Sequence, residues 1–315
     1  MTHLYADPVF EEHQTPPGHP ECPARARTVL KALSTCEAIS ASHPGIRPSE
    51  ETSSALRLVH DPDYVASIEE AAAAGGRSLD SDTHVSARSY EVACRATATL
   101  LGATAAALAA PSESSARQAF VVVRPPGHHA RPARGMGFCL FNHVAVAAAV
   151  ARQGGLERVT VLDFDVHHGN GTQEMFWREG GVQYVSLHGR GYYPGTGAAD
   201  ETGEADGLGR TINVPLPSET APGEYQAAFA SALDRVVSFE PELILVSAGF
   251  DAYVEDPVGG LGLAAEDFHW IGCELRAAAD AACGGRLVSV LEGGYDLEAL
   301  GGLAQAYVEG QASSK

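Results

Sequence analysis

Six short runs of apolar and β-branched residues punctuate the chain, at 119–123, 158–165, 182–187, 211–216, 242–247 and 286–291. They are apolar almost throughout rather than alternating with polar positions, as strands buried on both faces of a parallel sheet are. Between them, at 143–152, 224–239 and 266–282, apolar residues recur at helical spacing. The chain before 119 reads mainly as helix, at 23–37, 61–74 and 87–110. Strand and helix in alternation predict an α/β fold, a central sheet with helices on both faces. No Pro/Ser-rich linker and no repeat divides the sequence, so one domain over residues 1–315 is expected. A short frayed tail is expected from about 310, in GQASSK.

The unusual polar residues gather where the predicted strands end. RPPGHHA follows the first run, DFDVHHGNG closes the second, and SLHGRGYYPGTG, SAGFDA and LEGGY follow three others. The carboxyl edge of an open α/β sheet is where ligands bind. Asp163 and Asp165 lie two apart, so a regular strand puts both side chains on one face, with His167 following on that side. Taken alone, Asp251 of SAGFDA reads as a turn or helix cap, and His167 as a buried core histidine. Gathered at one sheet edge, Asp165, His167 and Asp251 read better as a divalent-metal site, since zinc takes mixed oxygen and nitrogen ligands. His128 and His129, on a loop stiffened by Pro125 and Pro126, supply imidazoles that titrate near neutrality and suit general-base work. Tyr295, after two glycines, can offer a phenolic hydrogen bond to a developing oxyanion.

Composition narrows the partners. Forty acidic against 21 basic residues give a formal charge of -19, which argues against a nucleic-acid partner and would draw in cationic substrates. The six cysteines show no CxxC pair, which suits free thiols in a reducing compartment. The opening MTHLYADPVF has no basic start and no apolar stretch, and the Ala-rich run at 93–110 carries Arg95 and several threonines. It reads as a helix of a soluble protein. A cytoplasmic location without membrane contact is expected, with the oligomeric state left open. The glycine loops GMGFC and GLGR lack a following GK[ST], so no phosphate loop is read.

RPPGHHA, GFCLFN, DFDVHHGNGT, SLH followed by YYPGTG, SAGFDA and LEGGY together resemble the zinc-dependent histone deacetylase superfamily. The resemblance is to its class II and bacterial branch, which includes acetylpolyamine amidohydrolases, and it runs from about His19 to Tyr295. It implies the arginase–deacetylase fold, an α/β domain around an eight-stranded parallel sheet. It implies one catalytic Zn²⁺ on Asp165, His167 and Asp251, with His129 as general base for a water at the metal. His128 would give electrostatic help or protonate the leaving amine, Asp163 would orient His128, and Tyr295 would polarise the acetyl carbonyl. A structural K⁺ is implied at Asp163, Asp165 and His167 with Ser186 and Leu187. Gly137, Phe138, His188, Tyr193 and Val258 would line a narrow tunnel for an aliphatic chain.

Some positions depart from the family's commonest pattern. Asn170 stands where class I members carry Asp, which fits the class II branch. His143 gives FNH for the usual FNN and reads as a structural, cap-related change, and Tyr193 replaces a common tunnel Phe. The implied activity is removal of acetyl groups from N-acetylated amines. The favoured substrate is N-ε-acetyl-lysine in proteins or peptides, because Val258 occupies the position of the polyamine-selective acidic gatekeeper. Acetylpolyamine is the alternative, with Glu21 or Glu255 as candidates to meet a distant ammonium. A non-catalytic scaffold is disfavoured because every residue carried over as chemical is present. An arginase-like ureohydrolase, with its two-metal cluster, suits GFDA and LEGGY poorly.

Overall fold

The computed structural model describes residues 1–313. Its strands are β1 (Thr2–Ala6), β2 (Ile39–His43), β3 (Gly76–Ser78), β4 (His84–Ser86), β5 (Gln118–Val122), β6 (Val159–Asp163), β7 (Val182–Gly189), β8 (Thr211–Leu216), β9 (Leu243–Ala248) and β10 (Leu287–Leu291). The helices are α1 (Ala24–Leu33), α2 (Glu50–Leu56), α3 (Pro62–Ala73), α4 (Ser89–Ala109), α5 (His143–Gln153), α6 (Asn170–Phe176), α7 (Pro222–Ser238), α8 (Ala265–Cys283) and α9 (Leu300–Ala312). Eight strands form one sheet in the order β2-β1-β5-β10-β9-β6-β7-β8. Every pairing in it is parallel, while β3 and β4 form a separate antiparallel hairpin.

The helices fall into two sets of neighbours. One set holds α2, α3, α4, α5 and α6; the other holds α1, α7, α8 and α9. They cover the two sides of the sheet, which leaves β5, β6, β9 and β10 wholly buried and accounts for their uninterrupted apolar character. Although α4 is long and apolar enough to cross a bilayer, it packs against α5 and the sheet. The small Ala, Thr and Gly side chains on it permit that close packing.

The six predicted strands are present, with two corrections at the margins. β1 and β2 escape the apolar-run criterion: β2, ISASH, lies at the sheet edge and alternates between half-buried and exposed positions. The second run ends at Asp163, so Asp165 and His167 lie in the turn that follows, not on the strand. Of the tail expected to fray from about 310, residues 310–312 lie in the last turn of α9. α9 runs to Ala312 against α8 and α1, with Gly310 and Gln311 buried, because Gly310 lets the backbone of α8 at His269 approach. Ser314 and Lys315 lie outside the described residues.

Candidate active site

The turn after β6 is organised by its own carboxylates. Asp163 Oδ1 accepts from the Asp165 amide at 3.2 Å, and Asp165 Oδ1 accepts from the His167 amide at 2.9 Å. Asp251, in the loop after β9, accepts from the Val166 amide at 2.9 Å, locking the two strand ends together. Asp165, His167 and Asp251 are all buried, with one ligand atom from each within 4.8 Å of the others. His167 Nδ1 stands 3.1 Å from Asp165 Oδ1 and 3.0 Å from Asp251 Oδ2. Burial and the neighbouring Asp165 push the Asp251 carboxyl up to about 7. Against the cost of burial, the two carboxylates draw His167 up to about 11.

Two anionic groups crowded out of water ask for a compensating cation. Glycines keep room around them: a Cβ on Gly293 would lie 2.2 Å from Asp251 Oδ2, and one on Gly249 would lie 2.2 Å from Asp165 Oδ2. The hard and borderline donors of this set, Asp, His and Asp, suit zinc or a similar divalent ion. The triad fits a metal.

Asp163 lies outside the triad but shares the His128 ring with Asp165, whose Oδ1 is 3.9 Å from His128 Nε2. Asp163 Oδ2 accepts from His128 Nδ1 at 3.0 Å and from the Tyr184 hydroxyl at 3.0 Å. Although burial opposes a charge on His128, Asp163 and Asp165 push its pKa up to about 10. His129 lies next to it, ring centroids 4.0 Å apart, and has the opposite character. Burial and the neighbouring imidazoles of His128 and His167 hold it well below the ordinary histidine value. Asn170 Oδ1 accepts from His129 Nδ1 at 2.8 Å. An amide oxygen can only accept, so the proton sits on Nδ1 and Nε2 is left with its lone pair. Replacing Asn170 with Ala is expected to lower kcat by about 10–100-fold, the usual cost of losing a group that orients a working imidazole. Steady-state kinetics alongside a thermal melt checks this.

A cavity of about 460 Å³ opens onto these groups, lined by His129, His167 and Tyr295 and walled by Gly137, Phe138, Tyr193 and Val258. Phe138 takes φ of 69°, a strained value for a non-glycine residue that aims its ring inward, and its amide donates to Thr83 Oγ1 at 3.1 Å. Gly137 has no substitute: a Cβ there would meet the His129 ring at 2.4 Å. His188 is not part of the wall. On β7 it faces the same side as Ser186, shares a hydrogen bond with Ser186 Oγ at 2.8 Å, and reaches the Gly197 carbonyl at 3.0 Å. It props a loop instead. Glu21 is corrected as well, being fully buried between Arg25 and Arg124. Glu255 is exposed and accepts from the Tyr253 hydroxyl at 3.1 Å.

The histone deacetylase domain family matches residues 19–311. The chain belongs to the histone deacetylase family. It is 41% identical over 286 residues to the histone deacetylase-like amidohydrolase of Pseudomonas aeruginosa, a match covering 88% of this chain and 73% of that protein. It is 37% identical over 301 residues to histone deacetylase 10, chloroplastic, of Oryza sativa subsp. japonica, covering 90% of this chain and 67% of the relative. Histone deacetylase 15 of Arabidopsis thaliana is 36% identical, but the match spans only 52% of its length. The crystal structure of the HDA15 HD domain superposes with a TM-score of 0.88 at 32% identity, covering 98% of this chain and 88% of that one. Acetylpolyamine aminohydrolase from Burkholderia pseudomallei superposes with a TM-score of 0.85 at 26% identity, covering 98% of both chains. The fold is thus the arginase–deacetylase fold, and the family makes the chain a hydrolase.

Four supports of this family site were not read from the sequence. Glu292 Oε2 accepts from the amides of Gly127 and His128 at 2.6 and 3.1 Å, and so fixes the HH loop. Asp256 Oδ2 accepts from the Tyr295 amide at 2.7 Å. Arg25 donates to the carbonyls of Glu292 and Gly294 and lies 4.7 Å above the Tyr295 ring. Tyr184 holds Asp163. Asp82 also lines the cavity, from the turn between β3 and β4. His143 is structural, as expected, though Asn142 makes the cap. The two ring nitrogens of His143 meet Thr97 Oγ1 at 2.8 Å and the Pro125 carbonyl at 3.1 Å.

Proposed function

We propose that the chain hydrolyses the amide of N-acetylated amines on an aliphatic chain, with N-ε-acetyl-lysine in proteins or peptides as the preferred substrate. The observation that carries this reading is the pairing of His129 with Asn170. It leaves a neutral, acceptor-bearing Nε2 in the cavity that Tyr295 and the triad residue His167 also line. Asp165, His167 and Asp251 would hold zinc, which when bound would supply Lewis acidity towards the carbonyl and a water. His129 Nε2 takes a proton from the attacking water as it adds to the acetyl carbon. Tyr295, kept protonated by burial, donates its hydroxyl to the developing oxyanion. His128, held protonated by Asp163, favours the collapse by passing a proton towards the departing amine. The apolar wall of Phe138 and Val258 excludes water around the methylene chain.

A potassium ion belongs to the same reading, on Asp163, Asp165, His167, Ser186 and Leu187. Its support is that Asp163 and Ser186 are register partners on neighbouring strands. A reducing, cytoplasmic setting also belongs to this reading, supported by six scattered cysteines with no CxxC pair. One observation favours the polyamine alternative: Asp82 lines the cavity and can meet a distal ammonium as readily as a peptide N–H.

Rates on N-acetylputrescine, N8-acetylspermidine and an acetyl-lysine peptide separate the two. The expected result is the highest kcat/KM on the peptide. A preference for the acetylpolyamines that Asp82→Asn abolishes would transfer the assignment to them. Inactivity of the zinc-loaded protein on all three would end the deacetylase reading.

A further inference from the structure

Beside the substrate cavity lies a second one of about 720 Å³. A single layer of residues divides them. Met136, Asn170 and Pro194 line the second cavity, while Gly137, His129 and Tyr193, their chain neighbours or bonded partner, line the first. Met136 is half-buried there, and its Sδ accepts a hydrogen bond from Asn170 Nδ2 at 3.5 Å. The other end of the same amide accepts from His129 Nδ1 at 2.8 Å. Two hydrogen bonds in series therefore run from a thioether on an open cavity to the imidazole that faces the substrate.

We propose that Met136 is a reversible oxidation site, through which hydroperoxides reaching this second cavity slow the enzyme by dislodging Asn170 from His129. The inference rests on the reading of His129 as the base. The thioether sulfur attacks the distal peroxide oxygen. The O–O bond breaks, an S=O bond forms, and the remaining oxygen leaves as water or alcohol after taking up a proton. Sulfur loses two electrons and the peroxide gains them. The product replaces a soft, weak acceptor by a polar and bulkier group. An oxygen pointed from Sδ at Asn170 Nδ2, now 3.5 Å away, would fall well inside the ~2.9 Å that an N–H···O contact needs. Asn170 must turn or retreat, and His129 loses the partner that fixes its tautomer.

The other methionines are Met1 and Met175, and Met175 lines the same cavity without a bond to the His129 support. Cys139, close by, is buried with its thiol pushed well above the ordinary value by that burial. It therefore stays in the less reactive thiol form.

The test treats zinc-loaded protein with graded hydrogen peroxide. It follows Met136 sulfoxide by peptide mass spectrometry, the His129 ring signals by NMR, and kcat and KM on the best substrate. Loss of kcat in step with Met136 sulfoxide is expected, about 10–100-fold at full conversion, with KM little changed and the His129 signals shifted. Methionine sulfoxide reductases should restore both. Each variant is compared with its own untreated sample: Met136→Leu should lose little on treatment, and Met175→Leu should respond as the parent does. Three results would overturn the proposal: full Met136 oxidation with kcat and the His129 signals unchanged, equal sensitivity in Met136→Leu, or oxidation of Met175 with Met136 untouched. If Met136→Leu does not fold, the parent's time course and its reversal by the reductases decide alone. Untreated protein lacking deacetylase activity would instead contradict the reading of the site, while the NMR signals would still report on the Met136 link.

Discussion

Replacing Tyr295 with phenylalanine is expected to lower kcat by about 10²–10³-fold with KM little changed, the loss that follows removal of one preorganised oxyanion donor. The substitution isolates the hydroxyl. The ring keeps its place 4.7 Å from the Arg25 guanidinium and 5.7 Å from Phe138, and Asp256 still accepts from the backbone amide at 2.7 Å. Folding should therefore be unaffected, as a thermal melt will report. Burial raises the Tyr295 pKa well above the ordinary phenol value, so the donor stays protonated throughout the working range. Full activity in Tyr295→Phe would remove the phenol from the mechanism.

The second large effect is on stability. Glu21→Gln is expected to cost about 3–5 kcal/mol, the penalty for breaking a buried ion pair and leaving its partners uncompensated. Glu21 takes Arg124 Nη2 on Oε2 at 2.7 Å and Arg25 Nη1 on Oε1 at 3.2 Å, with His13 Nε2 3.5 Å away, and all four side chains are buried. Burial alone would raise the glutamate pKa, but Arg124 and His13 overrule it and hold it well below the ordinary 4.5. A depressed carboxyl stabilises the fold above its unfolded pKa, and that contribution fades as pH falls through the folded value. The gap between parent and variant in urea midpoints should therefore be widest near neutrality and narrow only below about pH 4.5. A gap independent of pH would mean that the carboxylate charge is not what holds this cluster. Because Arg25 also holds the carbonyls of Glu292 and Gly294, some loss of activity should accompany the loss of stability.

What the sequence made legible was whatever sits on a local pattern. Buried parallel strands must be apolar along their whole length, so β5 to β10 announce themselves. The polar residues that interrupt the chain just beyond them have nowhere to go but the ligand edge. Asp165, His167 and Asp251 stand out in this way, as do His128 and His129. The supports were hidden because they act across the chain. Glu292 meets Gly127 at a separation of 165 residues and Asp256 meets Tyr295 at 39, and no periodicity marks such pairs. His188 was misplaced for a related reason. It lies in a motif beside the site, but β7 continues to Gly189, and the pleat turns its ring beneath the 195–197 loop rather than into the cavity. Glu21 looked like a free acid because its two arginines, Arg25 and Arg124, are brought to it only by the fold.

The central claim is that one divalent ion on Asp165, His167 and Asp251 works with His129 and Tyr295 in amide hydrolysis. Titrating zinc into metal-stripped protein while measuring deacetylation of an acetyl-lysine peptide and of the acetylpolyamines tests it most directly. Activity on the better substrate should rise linearly and level off at one equivalent per chain, and Asp251→Asn should neither retain the ion nor gain activity. Full activity in the metal-stripped protein, or a plateau only at two equivalents, would contradict the account.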